Sequence, residues 1–289
     1  MKAYMFPGQG SQFIGMGKNL YKNSHVARKL FQLANDVLEF SITSIMFEGT
    51  MDTLKKTKYT QLAIYIYSVI KAKISHDFEP DMVAGHSLGE FSALSAIDVF
   101  PFEKGLMLVN KRASIMQEIC ESIKGNMAVV LGLEDKIIEE ICKNDGGIIV
   151  PSNYNAPEQL VISGEHNALK RVCYSLKKIG AKKILILPVH GAFHSPIMEP
   201  AKKKFQEFID KISFKDSKCP IYQNVTAQSV IKSEDIKKNL IEQLTSPVKW
   251  KQSIENMISN GAISFTDIGP GNILQSLVKK ISRNFTRKI

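Results

Sequence analysis

Residues 83–94 read VAGHSLGEFSAL: an apolar run, a serine between two glycines, then small residues with helical spacing. Gly85-His86-Ser87-Leu88-Gly89 fits G-x-S-x-G, the nucleophile elbow, in which a serine projects from a sharp strand-to-helix turn. Such a turn brings backbones together, so the positions two before and two after the serine tolerate little side chain. The helix that follows aims its N-terminal amides at the serine and favours negative charge developing there. The N–H of Leu88, directly after the serine, is a natural oxyanion donor. Five residues alone are a weak signal, and the bland alternative is a glycine-rich turn with a surface serine. The apolar strand before and the small-residue helix after favour the elbow.

Outward from the elbow, KAYMF (2–6) reads as a short buried strand ending at the glycine-rich turn PGQGSQ. Residues 24–48 have helical periodicity with a break near 39–41. TQLAIYIYSVIKAKI (60–74) and FEKGLMLVNKRASIMQEIC (102–120) read as further helices. Past Lys124 the pattern changes. NMAVVLGL is a strand, EDKIIEEICKN a helix, GIIVPSNY and EQLVISG two strands with a turn at NAP, EHNALKRVCYSLKKIG a helix and AKKILILPV a strand. The order β-α-β-β-α-β is that of a ferredoxin-like unit. After it, PIMEPAKKKFQEFIDKI is helical, and PIYQN and ISFTDIGPG read as strands leading into turns. Strands alternating with helices predict a mainly parallel α/β sheet. The expected architecture is a discontinuous α/β core, residues 1–124 and 190–289, interrupted by a ferredoxin-like α+β subdomain at 125–189.

The chain has 289 residues, 44% hydrophobic and 23% charged, an ordinary globular composition with ample core. No repeat occurs at solenoid periods. Cys120, Cys142, Cys173 and Cys219 are scattered, with no C-x-x-C pair, which favours reduced thiols over disulfides or zinc and a reducing compartment. No metal site is expected. The N-terminal apolar part is too short for a signal peptide. No apolar run approaches the roughly 18 residues of a bilayer span. The expectation is a protein without membrane contact in the cytoplasm, or in an organelle lumen after loss of a targeting segment. The net charge of +10 favours an anionic partner. Lys170, Arg171, Lys177, Lys178, Lys182 and Lys183 follow Glu165 with no acid among them, and residues 279–289 hold five basic residues. Aromatics are not interleaved with these charges and no nucleic-acid-binding motif appears, so nucleic acid is not expected. Solvated lysine faces are the plain alternative.

A serine nucleophile needs a base, usually histidine. Of six histidines, His86 adjoins the serine and must point elsewhere in so tight a turn, while His25, His76 and His166 sit among polar residues. His190 and His194 lie in LPVHGAFHSP, past a strand, and histidine after serine is the chain order of α/β hydrolases. Spacing alone does not separate the two. FPGQGSQFIG fails the dinucleotide pattern G-x-G-x-x-G because Phe13 occupies the third glycine position, and no phosphate loop follows. A loop whose backbone amides face an anion remains.

FPGQGSQ (6–12), GHSLGE (85–90), KRASIMQE (111–118), GAFHSPIM (191–198), PVKW (247–250) and DIGPG (267–271) occur together in order. In order and spacing, this set resembles the malonyl-CoA:acyl carrier protein transacylase family over nearly the whole chain. The resemblance implies a hydrolase-like core with a ferredoxin-like insert. It implies Ser87 as nucleophile and His194, rather than His190, as base. The N–H groups of Gln9 and Leu88 would form the oxyanion hole, and Arg112 would grip the malonyl carboxylate. The main-chain carbonyl of Gln243 would orient the histidine in place of a triad acid. Gln61 resembles a pocket-lining residue, and Lys182 and Lys183 a basic pair at the site's mouth that meets CoA or the carrier protein. The implied reaction is ping-pong acyl transfer through a malonyl-serine ester, without metal or redox cofactor. Its partners would be malonyl-CoA and an acidic acyl carrier protein, and the enzyme a monomer. Phe91 replaces a common tyrosine, and His190 stands where a small residue is frequent. The competing readings are a serine esterase or thioesterase, an acyltransferase of a polyketide pathway, and a basic binding protein with a degenerate site. The first has no need of Arg112 or the PGQGSQ loop, and no HGGG-type oxyanion motif is present. Intact Ser87, His194 and Arg112 argue against the last.

Overall fold

The strand that delivers Ser87, Met82–Gly85, is buried at all four residues, because its sheet is covered on both faces. The computed structural model describes residues 1–189 and 191–285. Among these, the strands in chain order are β1 (Lys2–Phe6), β2 (Met82–Gly85), β3 (Gly125–Leu131), β4 (Ile149–Ala156), β5 (Gln159–Glu165), β6 (Lys183–Ile186), β7 (Ile221–Tyr222), β8 (Ser229–Val230) and β9 (Ser264–Asp267). The first sheet has the order β8-β7-β2-β1-β9. β7, β2, β1 and β9 are parallel, and β8 pairs antiparallel at the edge.

The alternation of β1 and β2 explains the layers. Tyr4, Phe6 and Val83 face one core with the helices Thr57–Ile74 and Phe102–Ser122. Ala3, Met5, Met82 and Ala84 face the other, against Trp250, Ile254 and Met257 of helix Trp250–Ser259 and Leu274, Leu277 and Ile281 of helix Ile273–Phe285. A parallel sheet buried on both faces needs near-continuous apolar strands, as MVAG and AYMF are. The protein is α/β, with a mainly parallel core sheet.

The second sheet, β4-β5-β3-β6, is antiparallel throughout. With the helices Asp135–Lys143 and His166–Lys178 on one face it forms a ferredoxin-like unit with its own core, including Val130, Ile138, Leu160, Ile162 and Val172. Its other face contributes Met127 and Val161 to the main core. β4 is tied to the core sheet side, where Tyr154 N–H donates to Val248 O and Val248 N–H to Ser152 O.

Two local departures from the sequence reading have physical causes. β8 is two residues long, too short to show a period, and no strand was expected there. β6 ends at Ile186 although the apolar stretch runs on; Pro188 has no N–H to continue a ladder. The break expected near 39–41 is present: Glu39 at φ 58 closes helix His25–Leu38, and Ser41 caps Ile42–Glu48 by accepting from Ser44 N–H. All four cysteines are free thiols. Among the described residues no helix is long and apolar enough to cross a membrane, and no cluster of three metal-ligating side chains occurs.

Candidate active site

Both elbow glycines are sterically required. A Cβ on Gly85 would lie 2.0 Å from the carbonyl carbon of Gly89, and one on Gly89 would lie 1.9 Å from Phe6 O. Between them Ser87 takes φ 53, a left-handed conformation sparsely populated by L side chains. The helix Gly89–Ala96 starts directly after, and its first amides, Gly89, Glu90 and Phe91, donate back to His86 O, Ser87 O and Leu88 O in a tight turn.

Ser87 Oγ lies 2.8 Å from His194 Nε2. His194 Nδ1 lies 2.8 Å from Gln243 O. That carbonyl only accepts, so Nδ1 carries the hydrogen and Nε2 presents its lone pair to the serine hydroxyl. Burial, then the Arg112 charge, push the imidazole down to about 3, which keeps it neutral at neutral pH. Gln243 directly follows helix Ser233–Glu242. Its carbonyl is one of those a helix C-terminus leaves unpaired, and it carries the negative end of the dipole. A helix-end carbonyl thus lies on the side of the imidazole where a triad acid would sit.

Arg112 reaches Ser87 from helix Phe102–Ser122 and is 1% exposed. Its Nη1 donates to Gln61 Oε1 at 2.7 Å, and its Nη2 to Gln243 Oε1 at 2.9 Å and Ser87 Oγ at 3.0 Å. Among the described residues its Nε has no partner. The guanidinium lies 5.4 Å from the centroid of the Phe91 ring. Every hydrogen-bond partner is neutral. The nearby acid, Glu90, is fully buried, and burial pushes it up to about 8. Arg112 itself is pushed down to about 10, chiefly by burial. It keeps its charge at neutral pH with no carboxylate among its hydrogen-bond partners.

In the turn after β1, Gly10 N–H donates to Gln12 Oε1 at 2.8 Å and Ser11 Oγ–H to Gly8 O at 3.0 Å. Gly8 packs so closely on His86 O that a Cβ would lie 2.5 Å from it. Among the described residues the N–H groups of Gln9 and Leu88 meet no acceptor of the protein. A cavity of about 450 Å³ joins Gln9, Leu88, Ser87, His194, Arg112 and Gln61. Its far wall is the subdomain, through Met127, Val161 and residues 187–189. Gln61 also donates from Nε2 to Met116 Sδ at 3.5 Å.

Not every expected residue meets at this cavity. Lys182 pairs with Glu158 at 3.1 Å, and both it and Lys183 are exposed. Lys183 starts β6, four residues before the cavity-lining Leu187. At roughly 3.3 Å per residue it lies about 13 Å out along the strand. His190 lies outside the described residues. His86 turns away from the serine, with Nε2 2.9 Å from Asn155 Oδ1 and its ring beside Trp250.

The sequence reading gave no part to Asn224 or Glu90. Asn224 Oδ1 accepts Ser87 N–H at 2.7 Å, its Nδ2 donates to Gly85 O at 2.7 Å, and its N–H donates to Glu90 Oε1 at 2.5 Å. An acid in the first turn of a helix ordinarily reads as a solvated N-terminal charge. The signal that this one is buried is the run FSALSA, small or apolar on every side of the helix.

The sequence model of the acyl transferase domain matches residues 3–286. This chain belongs to the acyl transferase domain family. The acyl transferase is 40% identical over 286 residues to the malonyl CoA-acyl carrier protein transacylase of Bacillus subtilis strain 168, covering 97% of this chain and 90% of that one. The structure of the malonyl CoA-acyl carrier protein transacylase of Coxiella burnetii superposes with a TM-score of 0.94 at 34% identity, covering 98% of this chain and 91% of that one. A malonyl-transacylase solved in complex with its type II polyketide-synthase acyl-carrier protein also gives a TM-score of 0.94, at 35% identity over 98% of this chain and 93% of that one. In the acyl transferase the six motifs from FPGQGSQ to DIGPG all fall within the matched span.

Proposed function

We propose that this enzyme transfers the malonyl group of malonyl-CoA to the phosphopantetheine thiol of acyl carrier protein, supplying extender units for fatty acid synthesis. The observation that carries the reading is Arg112: a buried cation with neutral partners, one guanidinium nitrogen 3.0 Å from the Ser87 hydroxyl oxygen. A buried charge without a counter-ion is unfavourable unless a ligand supplies one. In a malonyl thioester the carboxylate is one methylene beyond the carbonyl that Ser87 attacks. A guanidinium beside the nucleophile therefore fits that acyl group, and its planar fork holds a carboxylate by two bonds.

The residues then divide the work. Ser87 Oγ attacks the thioester carbonyl as its proton passes to His194 Nε2. The imidazolium is steadied by Gln243 O on Nδ1. The N–H groups of Gln9 and Leu88 receive the oxyanion, helped by the helix N-terminus. Collapse breaks the C–S bond, and CoA leaves as the thiol with the proton returned by His194. The carrier's phosphopantetheine thiol gives its proton to His194 and attacks the serine ester, and Ser87 leaves reprotonated. Gln61 fixes one arm of Arg112. None of these steps calls for a metal or redox group.

Lys182 and Lys183 are proposed as part of a basic surface that attracts the acidic carrier protein or the CoA phosphates. The net charge of +10 supports that reading. The enzyme is taken to act as a monomer in the cytoplasm, where free thiols such as its four cysteines persist. The test is single-turnover acylation by malonyl-CoA against acetyl-CoA, followed by discharge with carrier protein. Equal labelling by both donors, or discharge by water alone, would overturn it.

A further inference from the structure

One side chain that lines no part of the cavity touches the machinery on three sides. The Asn224 amide straddles the elbow. It donates to Gly85 O, before the turn, and accepts from Ser87 N–H, at its apex, both at 2.7 Å. Its Oδ1 also receives Gln243 Nε2 at 3.4 Å, and the same Nε2 donates to Ser87 O at 3.0 Å. Gln243 is the residue whose carbonyl holds His194. A closed ring results: Ser87 to Asn224, Asn224 to Gln243, Gln243 to His194, and His194 back to Ser87.

The ring is anchored from behind. Glu90 accepts Asn224 N–H at Oε1 and Gln223 Nε2 at Oε2. Gln223 in turn accepts from Asn239 Nδ2 at 2.9 Å and donates to Ile236 O at 3.3 Å, both on the helix that Gln243 directly follows. All of these side chains are buried. Ser87 at φ 53 and His194 at φ 57 are both left-handed, and such conformations persist only where surrounding bonds over-determine them.

We infer that Asn224 is a positioning residue for acyl transfer: its side-chain amide holds the strained Ser87 backbone and Gln243, and through Gln243 the base His194, in mutual register. It touches no reacting atom. The inference rests on Ser87 being the nucleophile of the proposed function. It goes beyond that proposal by assigning the alignment of nucleophile and base to a residue outside the cavity.

The test compares wild type, Asn224→Ala, Asn224→Asp and Arg112→Ala with two reagents. A fluorophosphonate reads the reactivity of Ser87 without any malonyl group. Malonyl-CoA and acetyl-CoA in single turnover read the reaction itself. A wild type that reacts with the phosphonate but not with malonyl-CoA would remove the proposed function and leave the positioning role to be decided by the phosphonate alone. Asn224→Ala removes three side-chain hydrogen bonds; the one that holds Ser87 N–H predicts by itself a fall of about 10–100-fold in phosphonate reactivity and in maximum acylation rate. Half-saturation and the malonyl-to-acetyl ratio should stay as in wild type, whereas Arg112→Ala should change that ratio. Asn224→Asp keeps the acceptor for Ser87 N–H but turns a carboxyl oxygen onto Gly85 O in place of the donor, so it too should lose maximum rate. A loss confined to half-saturation, an altered acyl ratio, or a rate within threefold of wild type would overturn the inference. Should Asn224→Ala fail to fold, Asn224→Asp decides alone. A reduced maximum rate with unchanged half-saturation supports the role, and an unchanged rate contradicts it.

Discussion

Arg112 Nη2 donates to Ser87 Oγ at 3.0 Å, so the cation expected to select the substrate also borders the nucleophile. Selectivity and reactivity are thereby linked in one side chain. A charge-assisted donor on the serine oxygen favours its ionised character, and the same charge lowers the basicity of His194.

Arg112→Ala should cut kcat/KM for malonyl-CoA by on the order of 10²–10⁴, the loss of two hydrogen bonds to a charged group. Acetyl transfer should persist or rise, because no unpaired cation then remains in the pocket. Arg112→Lys should recover only part of the malonyl rate, since an ammonium cannot copy the fork. The measurement is kcat/KM for both donors in all three proteins. An equal fall for both donors would make Arg112 a structural residue.

Two buried titratable groups, His194 and Glu90, tilt stability in opposite directions with pH. His194 is pushed down to about 3, so below about pH 6.5 the unfolded chain binds a proton that the folded one refuses. Its contribution is complete above that pH and is lost as pH falls toward 3. Glu90 is pushed up to about 8 from an ordinary 4.5. Its contribution is complete below about 4.5 and is lost as pH rises through 8, because the unfolded carboxyl ionises first. Glu90→Gln cannot ionise. In urea unfolding, the stability of wild type minus that of Glu90→Gln should therefore shrink steadily between pH 4.5 and 8. A constant difference would mean that Glu90 is ionised in the folded state.

Gly89→Ala should destabilise by about 3 kcal/mol or more, since the added methyl meets the backbone carbonyl of Phe6 and neither side can yield. Gly10 has open space around its Cβ position but sits at φ +107. Gly10→Ala should thus cost about 1–2 kcal/mol, the penalty of a positive φ alone. Thermal unfolding of both variants separates crowding from backbone strain; equal losses would contradict the close packing of the elbow.

Some of this architecture is legible in residue types and some is not. The elbow shows because glycine is required at both Gly85 and Gly89 and the flanking strand and helix have opposite periodicities. The order of the ferredoxin-like strands shows because each is long enough to have a pattern, whereas β8, at two residues, has none. His194 is visible as a histidine following the serine, but spacing does not separate it from His190. Gln243 meets His194 through its main-chain carbonyl, which every residue type possesses, so only the resemblance pointed to it. Asn224 sits 137 positions from Ser87 in a short polar turn, and nothing local to YQN marks its side chain as buried.

Lys182→Glu/Lys183→Glu should raise KM for acyl carrier protein at low ionic strength, with kcat little changed. About 13 Å from the cavity wall by strand rise, Lys183 lies beyond the Debye length of roughly 8–10 Å at 0.1–0.15 M salt and well within the roughly 30 Å at 0.01 M. The effect should therefore vanish on adding salt. Lys182 is already paired with Glu158, so Lys183 should contribute the larger share. An unchanged KM at low salt would return both to ordinary solvated surface.

The most direct measurement is intact-protein mass spectrometry after mixing the enzyme with malonyl-CoA, and separately with acetyl-CoA, followed by peptide mapping. The predicted result is one malonyl adduct on Ser87 and little acetyl adduct. Discharge should require the thiol of phosphopantetheinylated carrier protein. Ser87→Ala should give no adduct, and His194→Ala should form it more slowly by roughly 10²–10⁴. No adduct on Ser87, or an adduct that water removes as fast without carrier protein as with it, would contradict malonyl transfer through this serine.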